Sequence, residues 1–241
     1  MAIIQVGHSF PFLARQSITR VADRPSTWHT LCTYGRCATV VSLVLATNNA
    51  GKMREFAALL ADLPVRLISA RDAGVLAFPP ETGETFAANA RAKAVYVTGE
   101  TGLPAIADDS GLVVDALGGA PGIYSARYGG PDATDADRCT LLLHALRDVP
   151  PEARAARFVA AIALSLPDGT VIATEGRLEG AIADAARGVN GFGYDPIFLV
   201  ADYGRTLAEF ADDEKNGISH RARALAALRP QLLAVLPRLE G

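Results

Sequence analysis

Leu43-Val44-Leu45-Ala46-Thr47-Asn48-Asn49-Ala50-Gly51-Lys52 joins an apolar run to a small polar turn, a glycine and a lysine. Met53, Phe56, Ala57 and Leu60 then fall at i, i+3, i+4 and i+7. That order predicts a strand, a tight turn and an amphipathic helix with a lysine at its mouth. A helix N-terminus carries N–H groups without intrahelical partners and a partial positive charge, which suits a phosphate. The stretch departs from the P-loop pattern: Ala46 stands where that loop has its first glycine, and Met53 follows the lysine in place of Ser or Thr. A P-loop kinase or GTPase is therefore disfavoured. By itself the segment fits either a phosphate grip or an ordinary strand–helix turn with an exposed lysine.

Working outward, strands and helices alternate. Val65 to Ile68 reads as a short strand, and Phe86, Ala90, Ala94 and Val97 mark one face of a helix. Leu103 to Ala107 runs strand-like into Asp108-Asp109-Ser110-Gly111, where Ser110-Gly111 is expected to let the backbone turn. Gly118 to Gly122 is a loop. Cys139, Leu142, Leu143 and Leu146 form a third helical stripe capped by Thr134 or Asp135. Arg157 to Leu166, the Asp168-Gly169 turn and Thr170 to Glu175 predict a hairpin. A glycine-rich loop, Gly188 to Asp195, precedes a short strand, Pro196 to Val200. The last helix starts near Ser219 and runs to about Leu236, kinked or restarted at Pro230. Crossover units combined with a hairpin predict an α/β fold with a mixed sheet.

Composition bounds the partners. The 241 residues are 50% apolar and 20% charged, with a net charge of -3, so no global basic field for nucleic acid exists. No apolar run is long enough for a membrane span. Three cysteines, few and odd in number, point to a reducing, cytoplasmic setting and against a disulfide framework. Cys32 and Cys37 with His29 have an unusual spacing for zinc and are one ligand short. Residues 1–41 have no clear period, two prolines, and one acid against four arginines. They read as a disordered extension or a start codon set too early, and only loosely as a transit peptide. The domain is expected over 42–241.

The chemistry gathers at a few places. Asp108 and Asp109 end an apolar strand, where carboxylates must be paired, hydrated or metal-bound. Alternation along a strand sends them to opposite faces, so one at a time serves a given site. A carboxylate there can hold Mg²⁺ or orient and deprotonate water; a solvated turn is the bland alternative. Glu81 precedes the second helix and suits either the helix dipole or a metal. Asn89 and Lys93 lie four apart on one helical face. His220 and Arg221 follow the N-cap Ser219, where positive charge opposes the dipole unless an anion or a polar base edge offsets it. Phe192 and Tyr194, with Asp195, sit in a flexible loop suited to stacking on a base, or simply to loop packing.

Taken together these motifs resemble the inosine triphosphate pyrophosphatase family over roughly Leu43 to Leu236. The resemblance rests on Thr47 to Lys52, Glu81-Thr82-Gly83, Ala107 to Gly111, Gly119 to Tyr128, Gly191 to Pro196 and Ser219-His220-Arg221, in family order. It implies Mg²⁺-dependent hydrolysis of dITP, ITP and XTP to the monophosphate and pyrophosphate, removing deaminated purines from the nucleotide pool. It implies an elongated, two-lobed α/β mixed-sheet fold with the site in the central cleft, in a homodimer. Residue by residue, it implies that Thr47, Asn48, Asn49, Ala50, Gly51 and Lys52 bind the triphosphate. Asp109 is the implied proton acceptor and metal ligand, and Glu81 a second acid at the metal. Lys93, Ser110 and Lys215 become nucleotide contacts, and Phe192, Gly193, Tyr194, Asp195, His220 and Arg221 the base-recognition groups. The related Maf-like pyrophosphatases are disfavoured by the Phe192–Asp195 and Ser219–Arg221 motifs. A sensor without catalysis is disfavoured by the intact acids at 81, 108 and 109.

Overall fold

Helix α1 spans Ala50–Leu59 and is capped by Asn49, whose side chain accepts the Lys52 N–H. The computed structural model describes residues 28–33 and 36–240. The strand feeding α1, β2 (Arg36–Leu45), pairs in parallel with β3 (Val65–Ser69) and β4 (Ala105–Val114). Strands β4, β5 (Ala155–Ser165) and β6 (Val171–Ile182) form an antiparallel meander, extended by β7 (Phe198–Val200) and β8 (Arg205–Thr206). Strand β1 (Trp28–Thr33) pairs antiparallel with the first half of β2. Among the described residues this gives an eight-stranded mixed sheet in the order β1-β2-β4-β5-β6-β7-β8, with β3 on β2.

Alternation along β4 and β5 divides the core. Ile106, Ile162 and Leu164 face α1 and α5 (His220–Val235), where Phe56, Leu228 and Leu232 are fully buried. Each such side chain contributes about 1.5–3 kcal/mol. Ala105, Ala107, Ala161 and Ala163 face α2 (Phe86–Thr101), meeting Ala90, Ala94 and Val97. Small residues on both sides let this helix lie close to the sheet. Farther along the same strands, Leu112, Val114 and Phe158 enter a separate core with Leu142 and Leu146 of α3 (Asp135–Ala145). Asp108 to Gly111 lie where β4 passes from one core region to the other.

Several expectations change. Ser110 and Gly111 make no turn: β4 is continuous, and they pair with Ala160 and Val159 of β5. Glycine is needed at 111 because a Cβ there would come within 2.4 Å of the Gly122 carbonyl and 2.5 Å of Ser125 Oγ. Among the described residues β1 begins at Trp28 and β2 at Arg36, ahead of the expected domain start at 42, and the two pair through main-chain hydrogen bonds. Residues 1–27, and the side chains of His29, Cys32 and Cys37, lie outside the described residues. Two short elements, α4 (Asp212–Ile218) and β8, were not anticipated, being too brief to show a period. Pro230 lies within α5, which runs through it without a restart.

Candidate functional site

The period of two in β4 sends Asp108 to the α1/α5 face and Asp109 to the α2 face, as the sequence alternation requires. On the first face Asp108 Oδ2 collects Lys52 Nζ at 2.6 Å, Ser110 Oγ at 2.9 Å and Arg221 Nε at 3.3 Å. Burial alone would raise the Asp108 carboxyl, but Lys52 and Arg221 outweigh it and hold the group well below the usual carboxylate range. Its other oxygen, Oδ1, is buried without a partner.

On the second face Lys93 Nζ lies 2.9 Å from Glu81 Oε1, 3.2 Å from Asp109 Oδ1 and 3.0 Å from the Asp108 carbonyl. Asn89 Nδ2 donates to Asp109 Oδ2 at 3.1 Å, while its own oxygen accepts the Gly83 N–H at 2.8 Å. Burial pushes the Asp109 carboxyl above its ordinary value; Lys93 pulls the other way and Glu81 adds to the rise. Two acids therefore converge on one cation, and Arg127 approaches Glu81 Oε2 from outside at 3.6 Å.

The start of α5 brings in the remaining groups. Arg221 also donates to Glu55 Oε2 and Ser110 Oγ, both at 2.7 Å. Lys215 Nζ sits 2.7 Å from both Glu55 Oε1 and Asp195 Oδ2. The helix-opposing charge at 220–221 is thus offset by protein carboxylates, Asp108 and Glu55. His220 is fully withdrawn from water, its ring stacked on Phe158 at 4.8 Å and 10° with both nitrogens unpartnered. Burial, with Arg221 adding to it, keeps the imidazole well below its ordinary pKa, so the ring is neutral.

A cavity opens between these groups, lined by Asn49, Lys52, Ser110, Phe192, His220 and Arg221 among others. The Phe192 ring forms one wall, with the Arg221 guanidinium 5.2 Å and Lys215 Nζ 4.8 Å from its centroid. A Cβ on Gly51 would come within 2.7 Å of that ring, so the glycine of the α1 turn is what lets Phe192 close over it.

Most of the expected site residues thus meet. Lys52, Ser110, Phe192, Gly193, Tyr194, Asp195, His220 and Arg221 line one cavity, and Thr47, Asn48, Asn49 and Ala50 line a shallow pocket beside it with Ser69 and Arg71. Lys215 does not line the main cavity; it is buried behind Phe192 and faces a second, polar pocket with Gly51 and Arg54. Tyr194 contributes its hydroxyl to the Ser125 carbonyl at 2.8 Å. The reading missed Glu55, Phe158 and Asp135. Glu55, three positions after Lys52 and next to the core residue Phe56, was legible as an acid placed near a helix's buried stripe.

Comparison with known proteins shows the family. Residues 43–231 match the model of the Ham1 family. A dITP/XTP pyrophosphatase of Symbiobacterium thermophilum is 53% identical over 195 residues, covering 80% of this chain and 96% of that protein. A dITP/XTP pyrophosphatase of Thermus thermophilus is 53% identical over 188 residues, covering 78% and 90%. Among solved structures, a HAM1 protein from Coxiella burnetii superposes with a TM-score of 0.73 at 44% identity, covering 80% of this chain and 98% of that one.

Proposed function

This chain belongs to the Ham1 family, and on that premise we propose that it hydrolyses dITP, ITP and XTP to the monophosphate and pyrophosphate. The observation that carries the reading is the placement of adjacent acids across one step of β4. Asp108 is wired to Lys52 and Arg221 at the cavity, and Asp109 to Lys93 and Asn89 on the other face. A base-reading side and a phosphate-cleaving side then lie one residue apart.

The acids fit Mg²⁺. Glu81 and Asp109 are hard oxygen donors already converging on one cation, Lys93. A pair of carboxylates suits an ion that binds through one or two of them and completes its shell with water and substrate phosphates. When bound, Mg²⁺ would neutralise charge on the polyphosphate.

The chain's own residues would do the rest. The N-terminus of α1 and Lys52 hold phosphate oxygens. Asp109 takes the proton of the attacking water, its raised pKa suiting a base, with Asn89 fixing the second carboxylate oxygen. Arg221 and the neutral His220 present donors to the 6-keto edge of the purine. A donor facing a 6-amino group is left unpaired, and polar-matched sites reject such analogues by roughly 10⁴ or more.

A cytoplasmic setting and a homodimer follow from the same resemblance. No described helix is long and apolar enough to cross a membrane. A groove lined by half-buried Phe86 and Val113 and exposed Tyr124, with Arg157, Glu175 and Arg177 at its rim, is the face we assign to self-association. The deciding experiment is a panel of ITP, dITP, XTP and the ordinary nucleotides with Mg²⁺, scoring pyrophosphate against orthophosphate. Pyrophosphate from the 6-keto substrates is expected; orthophosphate as primary product overturns the reaction type.

A further inference from the structure

Helix α3, unused by the phosphate and metal readings, grips one residue of the base-reading loop from both sides. Asp135 Oδ2 accepts the Gly193 N–H at 2.7 Å, and Cys139 Sγ–H donates to the Gly193 carbonyl at 3.4 Å. Four residues apart, they share one helical face a turn from each other. Burial, and then Asp135, push the Cys139 thiol up to about 11, so its proton is present at neutral pH. Asp135 and Arg138 also line the cavity that holds Phe192 and Arg221. The α3 N-terminus is itself fixed by a Thr134–Asp137 capping box.

The loop needs this support. Gly193 has φ +64, and a Cβ there would meet nothing within 4 Å, so its side-chain side faces open space. The neighbouring bonds are local, Phe192 N–H to Asp195 Oδ2 and Asp195 N–H to the Phe192 carbonyl. Beyond α3, the loop's long-range ties fall on the residues flanking Gly193: the Tyr194 hydroxyl to Ser125, Asp195 to Lys215, and Asn190 to Ala208 and Phe210.

We propose that Asp135, together with Cys139, is a positioning residue for base selection, fixing Gly193 so that the cavity wall matches a 6-keto purine. The proposal rests on the pyrophosphatase reading of this site. Asp135 is exposed and outside the core, so its variants should fold. Asp135→Ala removes both the Gly193 acceptor and the Arg138 pair; Asp135→Asn keeps the acceptor and loses the pair.

The test compares steady-state kinetics on ITP and ATP with hydrogen–deuterium exchange of the peptide spanning 190–195. Asp135→Ala is expected to raise KM for ITP about fivefold, as losing one hydrogen bond would. The change should fall mainly on KM, lower the ITP-over-ATP ratio of kcat/KM, and speed exchange in the loop. Asp135→Asn should stay near wild type in all three. Unchanged selectivity in Asp135→Ala overturns the role in base selection even if exchange quickens. Equal loss in Asp135→Asn overturns the Gly193 contact as its cause. Wild-type protein that releases no pyrophosphate from ITP would instead sink the enzymatic reading, and the exchange comparison would still decide whether Asp135 holds the loop.

Discussion

Glu55 Oε2 and Arg221 Nη1 lie 2.7 Å apart, joining α1 to α5 across 166 residues of sequence. Glu55 bridges Arg221 and Lys215, and only 11% of its side chain is exposed. Removing one partner of a buried pair leaves the other charge uncompensated, at about 3–5 kcal/mol. Glu55→Gln should therefore lower unfolding free energy by a few kcal/mol near neutral pH, read by urea denaturation. The sign with pH follows from the carboxyl. Burial alone would raise it, but Arg221 and Lys215 hold it below its ordinary value. Its contribution is then fully present above the unfolded pKa of about 4.3 and is lost as pH falls through the folded value. The gap between wild type and Glu55→Gln should be constant above about pH 5 and narrow below it; a gap that widens on acidification contradicts the assignment.

Gly51 and Phe192 meet where the phosphate turn touches the base loop. A Cβ at position 51 would overlap the ring, with carbons 2.7 and 2.8 Å away. Gly51→Ala should destabilise the fold by about 1–3 kcal/mol through overpacking and weaken nucleotide binding by displacing the cavity wall. Phe192→Leu in the same chain gives room back. The double variant should melt higher than Gly51→Ala alone, the coupling expected of residues in contact. Strictly additive melting shifts would show that the ring does not rest on Gly51.

What the sequence made legible was local. The turn from Leu45 to Lys52, the stripes of α1, α2 and α3, and the Asp168-Gly169 hairpin each announce themselves within a dozen residues. The opposite-face placement of Asp108 and Asp109 followed from strand alternation alone. What stayed hidden depends on contacts distant in sequence. Glycine at 111 reads as a turn signal, whereas its cause is the Gly122 carbonyl packed against β4. Lys215 enters the sequence reading only as an implied nucleotide contact, and its burial becomes apparent only once Glu55 and Asp195 are seen beside it. Phe158 reads as core, and is also the platform for His220.

Asp109→Asn tests the proton acceptor. Asparagine keeps the shape and an oxygen for Asn89 but cannot accept a proton from water. General-base catalysis contributes about 10²–10⁴-fold, so kcat should fall by that order. Nucleotide should still bind, because Lys52 and the α1 N-terminus are untouched. Single-turnover pyrophosphate release set beside equilibrium binding of ITP separates the two. Turnover within a fewfold of wild type would remove Asp109 from the chemical step.

Arg221 needs a gentler change than alanine. Its guanidinium is shared among Asp108, Ser110 and Glu55, so truncation would leave two buried carboxylates short of a partner. Arg221→Lys keeps the charge but loses the planar fork. It should fold, retain affinity for pyrophosphate, and lose preference for ITP over ATP by about tenfold or more, the scale of a lost polar match. Preference equal to wild type would shift base reading to other groups in the cavity.

His220 gives the last test, on the acid side of neutrality. Its ring is fully buried, stacked on Phe158 and without hydrogen-bond partners, and Arg221 and Lys215 add to the burial that disfavours its protonation. The unfolded chain binds a proton near pH 6.5 and the folded one does not. The stability this group contributes is therefore present above about pH 6.5 and lost as pH falls below it, by at most about 1.4 kcal/mol per pH unit. His220→Gln cannot titrate and should show a shallower fall between pH 6.5 and 5.5 in urea unfolding, whatever its stability at pH 7.5. Parallel profiles for the two proteins would mean that the imidazole takes up its proton in the folded state, and the neutral donor assigned to the 6-keto edge would have to be replaced by a cationic one.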